Sequence, residues 1–151
     1  MAAVEQLPTM VLKPSPLKPD EVFRNDKTKD GWTLIKDTPL TSEPRLLLSG
    51  NVGSGDRRLD EMMLEERGTI IADNVGPLAG QHHAEAMLDQ QDQIPVEWRS
   101  YCLIFPGTVW QDKHGDHWGA YVDWDNGDSQ WVLSFNCFDW WTAYDRLVHV
   151  S

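Results

Sequence analysis

Cysteine is nearly missing from this chain. Cys102 and Cys137 are the only two in 151 residues, and neither has a second Cys or a His at zinc-ligand spacing. That excludes a disulfide framework and a structural zinc knuckle, so both are expected to be free thiols. Positive charge is scarce too: 13 Lys and Arg stand against 24 Asp and Glu, a formal net charge of −11. A general binder of nucleic acid or anionic membrane needs a basic surface, so neither partner is expected. No apolar run is long enough to span a bilayer, and the start lacks a basic, apolar leader, so a soluble, cytoplasmic or virion-associated product is expected. No GxSxG, HExxH, GxGxxG or P-loop pattern occurs, and there is no internal repeat.

What is abundant is tryptophan: seven of the eight fall between Trp98 and Trp141. From 120 to 136 large apolar residues alternate with small or polar ones. If the segment is extended, Val122, Trp124, Trp131, Leu133 and Phe135 face a core, because successive strand side chains point opposite ways. Tyr121, Asp123, Asp125, Val132, Ser134 and Asn136 then share the other face. An ordinary antiparallel sheet with one solvated face gives the same alternation.

The length suits one domain with a tail. Residues 1–25 carry Pro8, Pro14, Pro16 and Pro19 and are expected to form a flexible N-terminal tail, with 26–151 a single ligand-binding domain. Residues 31–36 suggest a strand, followed by a loop rich in Pro and Ser. A first helix is expected after Asp56, closed by Gly68, and a second from Pro77 to Gln91 with Ala84, Met87 and Leu88 inward. From Trp98 the period becomes that of strands: 100–105, 108–111, 117–124, 130–135 and 146–150, with Pro106-Gly107 separating the first two. Asn126-Gly127 predicts a tight hairpin turn, since that pair supplies positive φ values. Residues 136–145 form an aromatic-rich loop without a period. The fold class expected is α+β, two helices packed on a C-terminal antiparallel sheet.

Several candidate chemistries compete with plainer structural explanations. The 123–128 segment imitates a calcium loop, but its glycine comes one position early and Ser134 stands where the bidentate Glu belongs. A hairpin turn explains it better. His114 and His117 with Asp112 and Asp116 suit a metal-dependent hydrolase, yet 113–116 is also a polar turn. His82 and His83 lie about 100° apart on a helix, which predicts one facing the core and one exposed. Cys102, in an apolar strand, reads as a small buried hydrophobe. Neither enzyme activity nor a cofactor or metal is expected. What stands out is the mixture of Trp, Tyr, Asp, Ser and Asn over 117–145, the chemistry of adaptable recognition surfaces. Trp110, Trp118, Trp124 and Trp131 are expected in the core, and Trp140, Trp141 and Tyr144 at the surface.

Three blocks, 80–85 (GQHHAE), 94–99 (IPVEWR) and 105–110 (FPGTVW), precede a frame of Trp124, Trp131, Phe135, Trp141 and Arg146-Leu147-Val148. This last half of the chain resembles a group of candidate-phyla bacterial proteins in which the residues between frame positions look hypervariable. That group is similar to the variable target proteins of diversity-generating retroelements. The resemblance implies a C-type-lectin-like fold with frame residues as scaffold. It also implies that Tyr121, Asp123, Asp125, Val132, Ser134, Asn136, Asp139, Thr142, Ala143 and Tyr144 are diversified, since each type is reachable from an Asn template codon. Gln130 and Trp140 are not reachable, although Trp140 remains a candidate ligand contact.

The function expected is a non-enzymatic binding protein that recognises a protein or glycan ligand on another cell or virus through 117–145. The alternative is an acidic decoy that blocks a basic nucleic-acid-binding protein. Seven Asp against one Lys in 107–145 favour that alternative.

Overall fold

The computed structural model describes residues 8–13, 23–40, 44–48, 78–137 and 144–150. The helix expected after Asp56, and Asp139, Trp140, Trp141, Thr142 and Ala143, lie outside the described residues.

Within them one helix, α1 (Gln81–Leu88), packs on a seven-stranded sheet. The strands are β1 (Met10–Val11), β2 (Thr33–Lys36), β3 (Arg45–Leu48), β4 (Cys102–Gln111), β5 (His117–Asp125), β6 (Gln130–Cys137) and β7 (Asp145–Val150). Their order is β1-β3-β7-β4-β5-β6, with β2 also paired to β4. The class is α+β, dominated by sheet. The expectation of a wholly antiparallel sheet is corrected at β7, which follows β6 in sequence but lies on the other side of β4 and runs parallel to it. Periodicity marks a strand without naming its neighbour, so only the 117–135 hairpin was directional from sequence.

Pro106-Gly107 does not divide two strands. β4 runs through it with a register irregularity between Phe105 and Trp110. Proline has no N–H to give the ladder, and the Gly107 N–H leaves it to bond the Ala79 carbonyl at 2.8 Å. A Cβ on Gly107 would meet Thr38 Oγ1 at 2.5 Å and the Leu78 carbonyl oxygen at 2.6 Å, so only glycine allows the 78–80 backbone this close.

The expected tail is partly sheet. Met10 and Leu12 are 3% and 1% exposed, β1 pairs with β3, and the Trp98 indole N–H donates to the Pro8 carbonyl at 2.9 Å. Scattered prolines exclude helix, but an extended segment free of helix is also what an edge strand requires. Composition could not separate the two outcomes.

The core gathers Leu46, Met87, Trp98, Leu103, Phe105, Val122, Trp131 and Val148 between α1 and one face of the sheet. Each fully buried large side chain contributes about 1.5–3 kcal/mol relative to exposure. α1 is capped by Gly80, later than the expected start at Pro77, and by Asp89. Two 3-10 turns, Gln91–Gln93 and Val96–Ser100, then lead into β4. Both His82 and His83 are buried, correcting the expectation that one is exposed. The reason is tertiary: Phe23 stacks on the His82 ring at 4.1 Å and Glu85 bonds the backbone of Arg24 and Asn25, so α1 is covered by the N-terminal segment as well as by the sheet.

Candidate functional site

β5 and β6 pair without a break from Trp118↔Cys137 to Asp125↔Gln130. Trp118, Ala120, Val122 and Trp124 therefore share one face with Trp131, Leu133, Phe135 and Cys137. Val122 and Trp131 are buried in the core, and Trp124 and Leu133 pack at its margin. Phe135 lies beyond that cluster, with its ring beneath Lys27 Nζ at 4.9 Å and edge-on to Trp32. The opposite face carries Tyr121, Asp123, Asp125, Val132, Ser134 and Asn136, the six expected display positions on these strands, all half-buried or exposed.

Three residues that sequence reasoning missed join this face. Cys102, Ile104 and Asp145 line an open depression with Gly119, Ala120, Tyr121 and Asn136. Cys102 and Ile104 alternate with the core residues Leu103 and Phe105, so the period of β4 carried that signal. Asp145 arrives through the parallel pairing Cys102↔Asp145, which no local pattern encodes. Tyr144 precedes it and is 71% exposed, and its carbonyl accepts the Cys102 N–H at 2.9 Å.

Cys102 is a poor nucleophile in this depression. Burial, with Asp145 and Asp123 nearby, pushes the Cys102 thiol up to about 12, so it stays protonated at neutral pH. Asp125 is only partly available to a ligand, because its Oδ1 accepts the Gly127 N–H at 2.9 Å within the hairpin turn. That turn differs from expectation. Four residues, Asn126 to Ser129, connect the strands, and the positive φ falls on Ser129 at 52°, not on Asn126 or Gly127. A four-residue loop built on a type I turn places its left-handed residue last, whereas the two-residue type I′ turn implied by Asn-Gly needs positive φ at both central residues.

The His114 turn is also held by a side chain. Asp112 accepts from the His114 N–H at 2.8 Å, the Asp116 N–H at 3.0 Å and the Trp118 indole N–H at 2.9 Å. These bonds hold its carboxyl below the usual range and commit both oxygens. Among the described residues no three His, Cys, Asp or Glu side chains are gathered as a metal site.

A second polar cluster surrounds α1. His82 Nε2 lies 3.0 Å from Asp37 Oδ2, Thr108 Oγ1 donates to Asp37 Oδ1 at 2.7 Å, and the Gln81 N–H donates to Thr108 Oγ1 at 2.8 Å. The Trp110 indole donates to Gln81 Oε1 at 2.8 Å, and the fully buried Glu85 accepts the N–H groups of Arg24 and Asn25. This His–Asp–Thr set is no hydrolytic triad. Thr108 donates to the acid, not to the histidine, and His82 is 2% exposed beneath Phe23. The cluster ties 80–85 to 105–110 and to the N-terminal segment, so these two motif blocks are framework. In the remaining block, 94–99, Arg99 stacks on Trp124 at 3.7 Å.

No family model, curated protein or solved structure matches this chain. A hydrogen-bonded framework thus stands apart from a chemically mixed outer face. No described helix is long and apolar enough to cross a membrane.

Proposed function

We propose that the chain is a non-enzymatic binding module of the variable-protein type, built on a C-type-lectin-like scaffold. Its β5–β6 outer face, extended toward Tyr144, recognises a protein or glycan ligand on another cell or virus. The observation that carries this reading is the segregation across the β5–β6 ladder. Tyr121, Asp123, Val132, Ser134 and Asn136 stand on one face while Val122 and Trp131 anchor the core from the other. The five display side chains can change without touching the core, which is what a diversified surface requires. A helix packed on the inner face of the sheet supports the scaffold assignment. The test is a library randomised at these five positions. Folded members in the majority, with some selected to bind unrelated proteins, are expected. Wholesale unfolding, or failure to select any binder, would sink the proposal.

The acidic-decoy reading keeps one specific support: Asp116, Asp123 and Asp128 are exposed on the same hairpin region of a chain of net charge −11. Such a decoy binds a basic partner through long-range charge.

A further inference from the structure

Among the described residues the β4–β5–β6 side of the sheet ends at β6. In an antiparallel ladder the backbone groups of alternate residues point toward the partner strand or away from it. Those of Trp131 point away from β5: its N–H donates to Gln91 Oε1 at 2.8 Å, and its carbonyl accepts from Gln91 Nε2 at 3.3 Å. Gln91 thus stands where a further strand would lie. The same alternation turns the N–H and C=O of Leu133 and Phe135 outward, and among the described residues nothing bonds to them.

Natural edge strands are protected by charge, proline, bulges or shortness. β6 has none of these, and among the described residues only Gln91, at Trp131, covers its edge. It is eight residues long, contains no charged residue and no Pro or Gly, and keeps register with β5 throughout. An edge this regular is competent for strand addition.

The side chains around it define the occupant. On the outer face, Asp123 pairs with Val132 and Asp125 with Gln130, one strand in from the edge. An added strand would lie two spacings, roughly 10 Å, from β5, a gap that a Lys or Arg stem spans. On the inner face the half-buried Leu133 and Phe135 offer apolar contact. A second copy of this chain fits poorly, because its own β6 is uncharged and would bring two sets of Asp123 and Asp125 together.

We propose that the free edge of β6 takes up an extended peptide alternating Lys or Arg with apolar residues, added as a further strand. This names a partner class for the binding module proposed above and rests on that reading.

The test titrates the full chain into a labelled octapeptide alternating Lys and Val. A Glu–Val peptide and a Lys–Val peptide with N-methylated central amides serve as controls, and amide exchange is followed at Leu133 and Phe135. Saturable binding is expected for Lys–Val, with exchange at both amides slowed tenfold or more and both controls weaker by tenfold or more. Leu133→Pro, which deletes one outward N–H at a position where an edge strand accepts proline, should abolish binding. The Asp123→Asn, Asp125→Asn double variant keeps the turn acceptor and should weaken binding tenfold or more. That second variant decides the matter should the proline variant fail to fold.

Absence of binding, equal affinity for Glu–Val, or unchanged exchange at Leu133 and Phe135 would overturn the proposal. So would a self-associated chain in sedimentation whose edge amides are protected without peptide. If library-selected binders keep their targets in the Leu133→Pro background while Lys–Val never binds, the edge proposal fails and the display-face reading stands. Edge binding of Lys–Val with no target captured by any library member would support the edge and sink the display reading.

Discussion

At Cys102 a single number decides between chemistry and packing. Its thiol is raised from an ordinary 9.0 to about 12, chiefly by burial. At pH 8 the thiolate fraction is lower than that of a free cysteine by roughly a thousandfold, and greater intrinsic nucleophilicity recovers only part of this. Alkylation of Cys102 in the native chain is therefore expected to run at least about a hundredfold slower than in the denatured chain, as peptide mapping after a timed pulse would show. A raised folded pKa also fixes the sign of the pH dependence. The contribution of Cys102 to stability is whole below about pH 9 and is lost as pH climbs toward 12. Ser129 offers a second test at this scale. Its φ of 52° strains an L residue, so Ser129→Gly should stabilise the domain by about 0.5–1 kcal/mol, and Ser129→Val should destabilise it more than Gly127→Ala does. Thermal melts of the three variants settle the turn type, and the reverse order would restore the two-residue Asn-Gly turn.

At the scale of elements, the sequence declared what is local and hid what is not. The alternation of 117–135 was enough to place two strands, their hairpin and both faces, because each depends on neighbours within a few residues. β1 and β3 were illegible. Met10 and Leu12 sit in a proline-rich stretch, and their burial depends on β3, more than thirty residues away. The parallel docking of β7 on β4 was likewise hidden, and with it the place of Asp145 in the outer depression. Two consequences are measurable. A chain beginning at Lys13 loses the burial of Met10 and Leu12 and the bond from Trp98 to Pro8, so its stability should fall by about 3–6 kcal/mol in denaturant titration. Unchanged stability would restore the free tail. Gly107→Ala forces a Cβ into Thr38 Oγ1 and the backbone of Leu78 and Ala79, and it should cost about 2–3 kcal/mol through displacement of the 78–80 segment.

For the whole molecule the open question is whether recognition runs through shaped contact or through the field of a chain with net charge −11. The two mechanisms scale differently. Contact through Tyr121 and the 71% exposed Tyr144 acts at van der Waals range and is little altered by salt, whereas attraction between exposed charges is screened beyond about 8–10 Å at physiological ionic strength. A ligand captured by shaped contact on the outer face should therefore lose about 2 kcal/mol or more with Tyr144→Ala while the melting temperature holds, with little change in affinity between low and physiological salt, whereas a basic peptide on the β6 edge should weaken as salt rises. Joint neutralisation of Asp123, Asp125 and Asp128 to Asn leaves the turn acceptor on residue 125 in place, so any loss reports charge and not a collapsed hairpin. Affinity measured against salt for wild type, Tyr144→Ala and the triple Asn variant separates the cases. A steep salt dependence, abolished by the triple variant and indifferent to Tyr144, would assign the surface to an acidic decoy; a flat dependence with a large tyrosine effect would assign it to shaped contact.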